Sequence, residues 1–289
     1  MKLIAMSPAA FLGLSHWALD LPVPDASNAM AQRLYHPALD AYSSKYFDIV
    51  NGSYVALTVP VDGAHTLNSD YPRVELREVR ANATNSSFLR NFDPTSSGIV
   101  SHELSLAMAV ATIPPKHPQL TVAQVKGDKA CLMIELQSGS KGFQLVASNH
   151  YFQPKNQLLG VLDSSFSLST KFNLKLQLQD GMVYIYYNDM TTPRIMAPFK
   201  HHQDCNCRNA TTNQTLCYFK AGNYLGTNTS YDDADAVGAI NLYSIKAWHG
   251  NSTKIPPQNA TIIKKNTSSS SITLVPVLSA LLVLCCLMF

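Results

Sequence analysis

Tyr218-Phe219-Lys220-Ala221-Gly222-Asn223-Tyr224 carries the most informative pattern in the chain. As a strand it alternates: Tyr218, Lys220, Gly222 and Tyr224 share one face, Phe219 and Ala221 the other. Two phenols and an ammonium on one side are unusual for a core strand, although a half-exposed sheet face would also accept them. Pro72-Arg73-Val74-Glu75-Leu76-Arg77-Glu78 alternates in the same way, with Arg73, Glu75 and Arg77 opposite Val74 and Leu76. Val122-Ala123-Gln124-Val125-Lys126 presents Gln124 and Lys126 together. Three strands far apart in sequence thus each offer one polar face, as a groove for a charged, hydroxyl-rich polymer requires.

Strands dominate the rest of the chain. Phe172–Leu178 and Met182–Tyr187 alternate on either side of Asp180-Gly181, a strong hairpin signal. Further strands are expected at Trp17–Leu21, Tyr54–Val59, Ser101–Thr112, Cys131–Leu136, Gly142–Val146 and Val237–Trp248, and Phe11 to Pro60 otherwise reads as irregular. Helical periodicity is nearly absent. Short strands without βα alternation imply an all-β sandwich or barrel.

The three polar strands resemble, in order, the signature segments R-x-E-L-R, Q-[IV]-H and Y-F-K-A-G-x-Y-x-Q of the jelly-roll alginate lyases, polysaccharide lyase family seven. The resemblance runs from about Trp17 to Trp248, with two departures: Lys126 stands where the family has His, and Gly226 where it has the final Gln. It implies an all-β jelly roll of two antiparallel sheets with a concave substrate groove. It also implies catalytic positions at Arg73, Gln124 and Tyr224, with Lys126 occupying the His position.

The chemistry fits these residue types. A lyase acting on a uronate removes the C5 proton and must stabilise the charge that builds on the carboxylate. Losing one preorganised donor typically costs ~10²–10³ in rate. Arg73 offers a planar fork, Gln124 an amide hydrogen and Lys126 a point charge. Tyr224 is the candidate base and acid, its pKa near ~10 when unperturbed and its phenolate favoured by nearby cations. Glu75 is expected to orient the guanidiniums, and Arg77, Lys220 and Tyr218 to line the groove. His65, eight residues before Arg73, is within reach of the groove but reads first as a solvated loop residue. No carboxylate pair suggests a glycoside hydrolase, and neither a Ser-His-Asp pattern nor a cofactor signature is present. The competing reading is a surface protein that binds acidic polysaccharide on the same fold without cleaving it.

Composition bounds the setting. Only 14% of the 289 residues are charged, against roughly 25% on average, so glycans are expected to keep the surface soluble. Sequons begin at Asn51, Asn82, Asn85, Asn209, Asn213, Asn228, Asn251, Asn259 and Asn266. The net charge of +3 suits an anionic ligand, and no basic run points to nucleic acid. A small, polar run at Asn266–Ser271 precedes Ile272–Phe289, which lacks charge and reads as a GPI-attachment signal rather than a tail anchor. The expected plan is an atypical or truncated leader (1–10), a lyase-like domain (11–250), a glycosylated linker (251–271) and the signal (272–289). The mature protein is expected to be extracellular and monomeric, touching the membrane only through its anchor. His201-His202 beside Cys205 and Cys207 invites a zinc reading, but in a secreted chain Cys131, Cys205, Cys207 and Cys217 read as a disulfide framework of open connectivity, with no metal.

Overall fold

The computed structural model describes residues 6–67, 69–85, 92, 100–127, 129–149, 157–199 and 217–251. One short helix, α1 (Pro8–Leu12), opens it. Ser7 caps this helix by accepting from the Ala10 N–H, Pro8 starts it, and Gly13 ends it at φ +67. Ala9 and Leu12 are buried in the core, so residues 7–12 pack with the domain.

All else is strand: β1 (Trp17–Pro24), β2 (Ala31–Leu34), β3 (Phe47–Val50), β4 (Tyr54–Pro60), β5 (Arg73–Glu78), β6 (Val100–Thr112), β7 (Gln119–Lys126), β8 (Ala130–Gly139), β9 (Gly142–Asn149), β10 (Gln157–Phe166), β11 (Phe172–Gln179), β12 (Met182–Tyr187), β13 (Ile195–Pro198), β14 (Tyr218–Leu225) and β15 (Val237–Asn251). They form two sheets, ordered β10-β9-β8-β7-β14-β5-β1-β2 and β13-β12-β11-β6-β15-β4-β3. Every pairing is antiparallel, and the sheets pack face to face as a jelly-roll sandwich rather than a closed barrel.

Alternation builds the core. In β4, Val55, Leu57 and Val59 are fully buried, and Leu19, Val74, Leu76, Phe219 and Ala221 of the first sheet belong to the same core. The expected hairpin joins β11 to β12 through Asp180 and Gly181 at φ +50 and +68, both positive as a primed turn demands. Strands β2, β3, β10 and β13 escape the sequence reading. They are sheet-edge strands, and three of them are four residues long. The fourth, β10, pairs through repeated register shifts that blur its alternation.

The three polar segments become neighbours, with β14 between β5 and β7. Tyr224 lies opposite Arg73, Gly222 opposite Glu75, and Lys220 opposite both Arg77 and Gln124. Tyr218 faces Lys126. Opposed residues share a face, so the polar side chains converge on the outer side of the first sheet. Cys131 and Cys217 are buried, while Cys205, Cys207, His201, His202 and the C-terminal segments of the expected plan lie outside the described residues.

Candidate active site

Glu75 is the hub of the polar face. Its Oε2 accepts from Arg73 Nη1 at 3.1 Å and pairs with Lys220 Nζ, and its Oε1 accepts from Gln124 Nε2. The orienting role expected for Glu75 thus has a geometry for Arg73, but Arg77 stacks elsewhere, with Cζ 4.4 Å from the centre of the Tyr218 ring.

Lys220 is 3% exposed and held between two carboxylates, Glu75 and Asp20, the latter at 3.2 Å. That position makes it a counter-ion within the face. Burial pulls its pKa down, while Glu75 and Asp20 oppose the change. Asp20 itself is wholly buried opposite Glu75 and also binds Arg33 Nε. Burial pushes its carboxyl up, yet Lys220 and Arg33 prevail and hold it well below the usual carboxylate range.

Tyr224 is half-buried between two groups. Arg73 Cζ lies 3.7 Å from its ring centre, and Ser69 Oγ lies 3.0 Å from its hydroxyl. Ser69 is itself fixed, accepting from the Tyr71 N–H at 3.2 Å. Gly222, between the two working residues of β14, sits at φ +148 against β5, where a Cβ would come within 2.5 Å of the Val74 carbonyl. Only glycine permits that approach.

Lys126 lies at the end of β7 beside the cluster. Burial, then the charge of Lys220, pulls its pKa down to about 8. Tyr218 moves the other way: burial pushes its phenol up to about 12 against the pull of Arg77 and Arg33. The Nε–H groups of Arg73 and Arg77 are buried with no partner among the described residues. His65 is exposed, bridges to Pro72, and its Nδ1 meets only the Thr66 carbonyl, at 3.3 Å, among the described residues.

Sequence reasoning overlooks Asp20, Arg33 and Ser69. Asp20 was the discoverable one, since it is a lone carboxylate in the apolar strand Trp17-Ala18-Leu19-Asp20-Leu21. Ser69 lies in a loop with no pattern to mark it.

This face, with its arginine, amide and tyrosine on three adjacent strands, sits in a chain whose residues 12–249 match the family model described as alginate lyase. The chain belongs to the alginate lyase family. Solved structures agree. The alginate lyase AlgAT5 of polysaccharide lyase family 7 is 26% identical, with a TM-score of 0.68 over 85% of this chain and all of that one. An alginate lyase from Corynebacterium sp. is 23% identical, with a TM-score of 0.68 over 85% of this chain and 99% of its own. A variant of the family 7 alginate lyase A1-II′, solved with the substrate GGMG, is 23% identical, with a TM-score of 0.67 over 87% of this chain and 100% of that one. No curated protein matches it. As an alginate lyase family member the chain is a polysaccharide lyase, and Arg73, Glu75, Gln124, Lys220 and Tyr224 form one contiguous cluster on its first sheet.

Proposed function

We propose that this polysaccharide lyase cleaves a polyuronate, mannuronate-rich alginate or glucuronan, by β-elimination at the face built around Tyr224. The observation that carries the reading is the stack of Arg73 on Tyr224, with a buried Nε–H of Arg73 still without a partner among the described residues. A phenol and a carboxylate-binding fork stand side by side, as C5–H removal beside a C5 carboxylate requires. Tyr224, acting as its phenolate, takes the C5 proton on Oη and becomes the phenol, the C5 electron pair forms the C4=C5 double bond, and the C4–O bond breaks. The same phenol then gives the proton to the leaving oxygen. Arg73, Gln124 and a protonated Lys126 draw the charge that develops on the carboxylate. In mannuronate and glucuronate H5 and O4 lie on the same side of the ring, so one tyrosine serves both transfers.

The test is the ultraviolet absorbance of the new double bond when the protein meets polymannuronate, glucuronan and polyguluronate at neutral pH. Absorbance should rise with the first two and lag with the third. Tyr224→Phe should abolish the rise while leaving polymer binding within about twofold, since it removes only the proton carrier. Turnover retained in that variant overturns the reading.

One feature favours a binding protein without turnover. Glu75 already engages Arg73 Nη1 and the Gln124 amide, the donors that the developing charge needs. Polymer binding with no absorbance change in the wild type identifies that case. As for setting, we place the mature protein outside the cell as a GPI-anchored glycoprotein monomer. The exposure of sequon residues Asn51, Asn82, Asn85 and Asn251 supports glycan attachment. Glycosidase treatment should lower its mass, and a GPI-cleaving phospholipase should release it from membranes.

A further inference from the structure

Position 226 carries no side chain, and the structure fills its space from the next strand. A Cβ built on Gly226 would lie 2.8 Å from Cγ and 3.0 Å from Cβ of Gln119. These are the inner atoms of the glutamine, so it occupies that space along its whole stem. The Gly226 N–H donates to the Gln119 carbonyl at 2.8 Å, locking the two backbones together.

Gln119 lies on the same face as Tyr224. Tyr224 is opposite Thr121, and Gln119 precedes Thr121 by two residues, about 7 Å along the strand. Its amide Nε2 donates to Glu135 Oε1 at 3.2 Å, and Glu135 is held in turn by Ser148 Oγ. One amide hydrogen is thereby fixed. The carbonyl oxygen and the second amide hydrogen have no partner among the described residues, and the side chain is only half-buried. An oriented amide with an acceptor and a donor unspent, about one sugar from the candidate base, suits the hydroxyls and carboxylate of a uronate.

We propose that Gln119 is a substrate-positioning residue that binds the uronate flanking the one being cleaved, delivering from β7 the amide that Gly226 lacks. The inference rests on the lyase reading for the identity of the ligand. It does not need turnover for its test.

KM and kcat on polymannuronate are compared for wild type, Gln119→Met and the double variant Gln119→Ala/Gly226→Gln. Methionine keeps the stem over Gly226 and removes only the amide. KM should rise about tenfold, the worth of one hydrogen bond, with kcat within about twofold, while loss of the contact to Glu135 lowers the melting temperature by about a few degrees. The double variant moves the amide to position 226 and removes the Cγ contact at 2.8 Å, leaving the Cβ contact at 3.0 Å to relax by a few tenths of an ångström, so KM should return to within about threefold of wild type. A purely structural role for Gln119 predicts neither the KM-only effect nor the rescue. An unchanged KM in Gln119→Met, or a double variant no better than Gln119→Met, overturns the proposal. Tetramannuronate titrated into Tyr224→Phe protein, with and without Gln119→Met, separates the two readings. Should the wild type cut no polymer, the lyase reading fails, while about tenfold weaker binding with Gln119→Met still supports this subsite and equal binding overturns it.

Discussion

Lys126 shows how a single residue can set the chemistry of a face. An unperturbed lysine, at ~10.4, would be a fixed cation at any ordinary pH. Burial and the neighbouring charge of Lys220 bring this one down to about 8, so its role depends on pH. At pH 7 roughly nine in ten copies carry the proton and neutralise charge. Above pH 8 the neutral amine predominates and can act as a base. In guluronate H5 and O4 lie on opposite sides of the ring, so elimination needs a base other than the group that protonates O4. Cleavage of polyguluronate should therefore climb through a midpoint near pH 8, whereas polymannuronate cleavage, which uses the protonated lysine to draw charge, should fall through the same midpoint. Lys126→His should move the climb toward ~6.5. Initial rates on both polymers from acid to alkaline pH check this. A constant ratio of the two rates would remove Lys126 from the role of base.

At the scale of the element, β14 works because it is pressed against β5 more closely than side chains ordinarily allow. Gly222 makes that possible at φ +148, and the approach lays Arg73 over the Tyr224 ring. Gly222→Ala should cost about 2–4 kcal/mol, because its Cβ would meet backbone rather than a yielding side chain. Chemical denaturation measures the loss, and a wild-type midpoint would mean the strands can part without cost. The same element marks how far sequence reading reaches. Alternation in 73–77, 124–126 and 218–224 was enough to place Arg73, Glu75, Gln124, Lys220 and Tyr224 on polar faces, because period two is a local property. It could not show that Lys220 is clamped between Glu75 and Asp20, nor that Ser69 reaches Tyr224 across 155 residues. Those contacts depend on strand order and loop path, which no local period encodes.

Across the whole molecule, the two sheets are joined by apolar packing and by polar ties, among them Tyr187 Oη donating to Asp163, Asn223 Nδ2 donating to the Leu57 carbonyl, and a network around Glu78. Glu78 ends β5 and faces inward, on the opposite side of the strand from Glu75 and Arg77, and is fully buried. Its Oε1 meets His249 Nε2 of the second sheet at 2.5 Å, and His249 Nδ1 meets His102 Nδ1 at 2.9 Å. Its Oε2 accepts from the Phe219 N–H of β14 at 3.2 Å, so one carboxylate links three strands across the sandwich. Phe92 stacks on His102 and lies against His249 and Phe219, screening the tie from water. A polar group buried this way costs little while paired and much when a partner is removed. His249→Phe keeps an aromatic ring packed on Phe219 but deletes the hydrogen bonds to Glu78 and His102. It should lose about 1–3 kcal/mol, a fall of several degrees in melting temperature for a domain of this size. The substitution leaves Arg73, Gln124, Lys126 and Tyr224 untouched, so KM and kcat on polymannuronate, measured well below the melting temperature, should stay within about twofold of wild type. A loss of kcat in protein that is still folded would show that the tie across the sandwich also governs how β5 and β14 present Arg73 and Tyr224.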